Sequence, residues 1–252
     1  MKEILLFGVG IVVGAMNAIA GGGMLLGFPV LLAAGLSPLT ANMTSNVVVL
    51  PGLVSSAYGY RKYLRRVPRR YAVLLIPCLV GAALGALILR LTPSGRFQDL
   101  VPGLVLFAVV LFAFQPLLHF RLRRHLHSKA KQPKSLLPMS LALLPMMIYG
   151  GYFGPGFGFM MLAFLGFTKL HEIHQMNALK NVAGSVIALV SIACLFSAHR
   201  INWHYGLVMG TGNFAGGYLG VRLTERVSSH ALRIVVIVIG LGTATYLGLR
   251  SY

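Results

Sequence analysis

The chain has 252 residues, of which 57% are hydrophobic and only 10% charged. Soluble domains average about 25% charged residues and disorder needs low hydrophobicity, so both classes are excluded and an integral membrane protein remains. The 22 Lys+Arg against 4 Asp+Glu leave a net charge of +18. No nucleic-acid-binding motif accompanies that charge; the basic residues gather between apolar runs, as cytoplasmic loops of membrane proteins do.

Ten apolar segments follow in order: 4–20, 24–36, 41–59, 71–89, 97–118, 138–152, 156–168, 172–198, 204–221 and 230–249. None shows the period-two alternation of a membrane barrel, so all read as helices. About 20 residues are needed to cross about 30 Å of hydrocarbon. Segments 24–36 and 156–168 are too short for that, and 4–20 and 138–152 are also short. Each short pair is joined by a glycine-rich break, Gly21-Gly22-Gly23 in one case and Gly154-Pro155-Gly156-Phe157-Gly158 in the other. Two half-length helices meeting at such a break make a re-entrant hairpin or a discontinuous helix. The N-terminal run mimics a secretory signal with Ala18-Ile19-Ala20 as its cleavage site. It is expected to be retained, because the same glycine pattern returns in the second half.

The chain repeats itself at an offset of 135 residues. Asn42 matches Asn177 and Asn46 matches Asn181; Gly21, Gly23, Gly81 and Gly85 match Gly156, Gly158, Gly216 and Gly220. Asn is rare here, so the two Asn pairs carry most weight. The expected organisation is an N-terminal transmembrane repeat (1–118), a basic linker (119–137) and a C-terminal repeat (138–252), all α-helical. The loop 60–70 carries Arg61, Lys62, Arg65, Arg66, Arg69 and Arg70, while 196–203 carries only Arg200. With a non-crossing hairpin plus three spans per half, the halves are inverted, with loop 60–70 and the linker cytoplasmic. If each broken helix instead crosses once, the halves are parallel.

The broken backbone suggests chemistry. Helices starting after each break present unpaired N–H groups and the positive end of the helix dipole, which suits an anion. Gly21, Gly22, Gly23, Gly154, Gly156 and Gly158 are therefore candidate binding residues, whereas Gly81, Gly85, Gly216 and Gly220 suit close helix packing. Asn42, Thr44, Ser45 and Asn46, with Asn177 and Asn181, are costly inside apolar helices unless paired; they are either interhelical glue or the wall of a substrate cavity. Lys180 lies within the 172–198 segment and either snorkels to the interface or serves as a counter-charge to an anion. The four acids Glu3, Asp99, Glu172 and Glu225 lie at segment ends, so no carboxylate proton relay is visible. Cys78 and Cys194 sit inside apolar runs. No catalytic triad, metal set or cofactor motif appears, so neither an enzyme nor a resident cofactor is expected.

Asn17-Ala-Ile-Ala-Gly-Gly-Gly, Ala41-Asn-Met-Thr-Ser-Asn, Leu50-Pro-Gly and Tyr58-Gly-Tyr-Arg resemble the TauE/SafE family of sulfite-exporter-like permeases. Gly154-Pro-Gly-Phe-Gly, Asn177-Ala-Leu-Lys-Asn, Trp203 and Gly216-Gly-Tyr-Leu-Gly extend the resemblance over the whole chain. It departs at the second glycine loop, usually richer in Gly, where Pro155 and Phe157 intrude. The resemblance implies a multi-pass inner- or plasma-membrane transporter that exports a small anion such as sulfite or an organosulfonate. An anion channel and a non-transport membrane protein are the alternatives. No nucleic-acid partner is expected; the lipid bilayer is the surroundings, and a homo-oligomer stays open.

Overall fold

A computed structural model describes residues 1–126, 137–168, 170, 172–224 and 229–250. Among these the chain is helical throughout, without a strand. The order is α1 (Lys2–Ile19), α2 (Met24–Ala33), α3 (Pro38–Gly59), a short α4 (Arg61–Leu64), α5 (Leu75–Leu91), α6 (Ser94–Leu126), α7 (Leu137–Tyr152), α8 (Phe157–Gly166), α9 (Ile173–Leu195), α10 (Trp203–Leu223) and α11 (Ser229–Arg250). Every apolar segment of the sequence forms a helix. The helix begun at Ser94 runs on to Leu126, into the stretch read as linker, whose residues 127–136 lie outside the described part.

Local chemistry sets the boundaries. Ser37 accepts a hydrogen bond from the Thr40 amide and Pro38 opens the helix, so α3 starts there. Asn202 caps α10 in the same way, accepting from the Tyr205 amide at 2.9 Å. Among the described residues, four helices are long and apolar enough to cross a membrane: Lys2–Ile19, Arg69–Leu91 (including a 3-10 turn), Ser94–Phe114 and Ile173–Ala198. Ile76, Leu79, Leu84, Leu87, Ile88 and Leu91 of α5 all face outward. In water such a stripe would drive association; in lipid it is the solvated face.

Packing is reciprocal between the halves. First-half α1 lies along second-half α10, and second-half α7 lies along first-half α5. Likewise α3 packs on α10 and α5 on α9, while α6 packs on α8 and α11 on α2. The paired glycines do what their spacing suggests. A Cβ on Gly216 would strike the Ile11 backbone and one on Gly220 would meet Ala15; on Gly85 it would strike Ile148 and on Gly81 Met147. Removing the side chain lets the helix backbones touch. The helix α9 ties the two ends of the bundle together: His174 at its start stacks on Tyr63 of the basic loop at 4.7 Å, and the 196–203 loop follows its other end.

Candidate functional site

The two breaks have matching geometry. Gly21 adopts φ +85° and Gly154 φ +81°, a region open to glycine at little cost. The Gly21 amide bonds back to the Met16 carbonyl at 3.1 Å, and the Gly154 amide to the Tyr149 carbonyl at 3.4 Å. The breaks thus correspond at Gly21 and Gly154, not at Gly21 and Gly156. The cause is the connector after each half-helix: residues 167–172 are two longer than residues 34–37, so the Asn pairs keep the 135 offset while the breaks do not.

Both breaks meet in the interior. A Cβ placed on Gly21 would lie 2.7 Å from the Gly158 carbonyl carbon, so the two backbones are in direct contact. The Gly23 amide is taken by Asn17 Oδ1 at 2.8 Å, and those of Leu25 and Leu26 by Gly22 and Gly23 carbonyls. The Phe157 amide bonds the Gly154 carbonyl at 3.1 Å. Among the described residues, the amides of Met24, Gly156 and Gly158 have no acceptor.

Lys180 stands beside them. It is 1% exposed, so it does not snorkel. Its Nζ donates to the Asn17 carbonyl at 2.7 Å and to Asn177 Oδ1 at 2.9 Å. Asn17 belongs to the last turn of α1, where unpaired carbonyls form the negative end of the helix dipole. An ammonium has three N–H donors, so one remains for a further acceptor. No carboxylate pairs with Lys180 among the described residues.

A cavity of about 50 Å³ brings these parts together. Asn17, Gly21, Gly154, Gly156, Gly158 and Lys180 line its polar side, and Met24, Val49, Leu53 and Phe157 its apolar side. That is room for one small oxyanion or a few waters. The start of α2 and of α8 reach the same space, so helix dipoles and the ammonium add to one positive potential.

The other candidates surround this space without lining it. Asn177 holds Lys180. Asn42 Nδ2 donates to the Tyr152 carbonyl at 2.8 Å, capping the end of α7 as Lys180 caps α1. Ser45 Oγ and Asn46 Nδ2 both donate to the Asn42 carbonyl, and Thr44 Oγ1 accepts from the Asn202 amide. Both amide atoms of Asn181 are buried without a partner. Gly22 packs on Phe112. Asn17 was not among the sequence-derived candidates, although it carries both the Gly23 cap and the Lys180 contact; an amide six residues before a glycine N-cap was the available signal. These roles separate by experiment. Asn42→Ala is expected to cost about 1–3 kcal/mol of stability with little change in anion affinity. Asn177→Ala is expected to weaken anion binding roughly tenfold, because Lys180 loses its positioning partner. Thermal unfolding and a titration of each variant with a small oxyanion read the two effects; equal loss of affinity in both would refute the division.

The sulfite exporter TauE/SafE family model matches residues 6–247. The chain is 31% identical over 240 residues to a "probable membrane transporter protein" of Haemophilus influenzae, covering 93% of this chain and 89% of that one. It is 26% identical over 246 residues to "probable membrane transporter protein ORF9" of Sinorhizobium sp, covering 95% and 89%. It is also 26% identical over 247 residues to "probable membrane transporter protein YfcA" of Escherichia coli K12, covering 93% and 85%. No solved structure matches it.

Proposed function

The chain belongs to the sulfite exporter TauE/SafE family, and on that premise we propose that it is a secondary transporter of a small sulfur-containing oxyanion, sulfite or an organosulfonate, in a cell inner or plasma membrane. The observation that carries this reading is the buried Lys180 side chain, which pairs with no described acid, beside a cavity between two glycine breaks. Within the two breaks the amides of Gly21, Gly23, Gly154 and Phe157 are taken by acceptors of the protein, so the amides of Met24, Gly156 and Gly158 and the remaining N–H of Lys180 hold the anion's oxygens; Asn177 positions the Lys180 amine. Two repeats of opposite orientation rock against each other to open the cavity to either side.

Reciprocal packing of the halves supports that arrangement, as does the separation of the basic loop from the 196–203 loop by the length of α9. Single cysteines at 62 and 199 are expected to label differently in intact cells, with only position 199 reached by an impermeant maleimide. Equal labelling would reject the opposed orientation.

Export needs no proton relay in this reading. Glu3 is occupied by His204 at 2.7 Å at the exposed start of α1, Asp99 is exposed on α6, and Glu172 precedes the first residue of α9, at that helix's end. Glu225 lies outside the described residues. An interior-negative potential favours anion exit by about 2.3 kcal/mol per charge per 100 mV. At roughly −150 mV a monoanion gains about 3.5 kcal/mol, more than a 100-fold gradient opposes. Proteoliposomes with an imposed potential and no proton or sodium gradient are expected to move radiolabelled sulfite with saturating kinetics. Flux that follows a proton or sodium gradient instead would sink the uniport, and flux that never saturates would favour a channel.

A further inference from the structure

A second cavity, of about 280 Å³, lies at the end of the bundle that holds the 196–203 loop. Met43, Arg90, Thr92, Pro93, Ala198 and Arg200 line most of it. Arg90 ends α5, and Arg200 donates from Nη1 to Ser94 Oγ at the start of α6. No acid lines the cavity to neutralise them, and Glu3 is paired with His204. Among the described residues, neither arginine makes an ion pair. Two guanidiniums around one polar space match the planar, multidentate demand of an oxyanion.

The position of this space relative to Lys180 gives it a role. Thr92 Oγ1 lies 3.5 Å from the Tyr152 hydroxyl. Tyr152 ends α7, and two residues further Gly154 lines the inner cavity. Met43 of the arginine space is the chain neighbour of Asn42, which holds the Tyr152 carbonyl. Tyr152, whose ring packs against Phe97 at 5.9 Å, therefore connects a residue lining one space with a chain neighbour lining the other.

We propose that Arg90 and Arg200 form a second oxyanion site, a vestibule that holds a free sulfite-class anion between the inner cavity and the solution, with Tyr152 connecting the two spaces. It rests on the transport reading above. A phospholipid headgroup phosphate shares the recognising chemistry, and the free anion is the occupant assigned.

Equilibrium dialysis of the purified full chain in detergent against 35S-sulfite tests it. Wild type is expected to bind two anions per chain, the weaker one lost on raising salt, because exposed charges are screened. The Arg90→Gln/Arg200→Gln double variant is expected to bind one, and its filled inner site reports that it is folded. In proteoliposomes its KM for sulfite on the vestibule side is expected to rise roughly tenfold, an interaction of the size exposed charges at close range supply, while maximal flux is kept. Wild type binding one anion, or the double variant binding two, overturns the vestibule. Displacement of the second sulfite by added phosphatidylglycerol assigns the arginines to a lipid and overturns it as well. A Lys180→Met variant that still binds two anions counts against the inner site and leaves the vestibule standing.

Discussion

Lys180→Met is expected to abolish sulfite binding at the inner cavity while the protein still folds. An anion about 4 Å from the ammonium gains about 4 kcal/mol at an effective dielectric near 20, close to a thousandfold in Kd. The substitution keeps most of the bulk of the side chain while removing its terminal amine. It strands the Asn17 carbonyl and Asn177 Oδ1, each at a cost of about 1–3 kcal/mol, which the relieved desolvation of the buried amine offsets. The stability change is therefore small against the affinity change. Sulfite titration followed by calorimetry, with the melting temperature of the unliganded variant alongside, reads both. A Kd within threefold of wild type together with a large fall in melting temperature would show that Lys180 serves only to cap α1.

Gly21→Ala and Gly158→Ala are expected to destabilise the bundle at its centre. At Gly21 the backbone has φ +85°, costing a residue with a Cβ about 1–2 kcal/mol, and the new methyl would lie 2.7 Å from Gly158 backbone that cannot yield like a side chain. At Gly158 the methyl would lie 2.7 Å from the Gly21 Cα. Overpacking of this kind costs about 1–3 kcal/mol. For a chain of this length about 3 kcal/mol corresponds to a fall of roughly 6–12 °C in Tm. A Cβ on Gly95 would meet nothing within 4 Å, so Gly95→Ala is the control, expected to match or exceed wild type. A Gly21→Ala protein that melts with the control would mean that the breaks separate freely in solution.

The membrane class, the ten apolar segments that form helices and the four-residue glycine spacing were legible from the residues, because all three follow from local quantities. Mean apolarity decides the solvent, segment length decides what can span, and a glycine every four residues falls on one helix face. The breaks at 21–23 and 154–158 were legible for the same reason: clustered glycines cannot favour continuous helix.

What each polar side chain does was decided by the tertiary structure. Asn42 and Asn177 are equivalent in the repeat, yet Asn42 caps a helix end and Asn177 holds an ammonium, because position 45 is Ser where position 180 is Lys. The register of the breaks depended on a connector two residues longer in the second half, which an uninterrupted Asn match conceals. Asn17, Gly158 and Lys180 meet only because α1, α8 and α9, distant in sequence, converge on one cavity. Composition and spacing act along the chain and so determine the solvent, the helices and their breaks. A binding site depends on long-range contacts, and those exist only once the helices have packed.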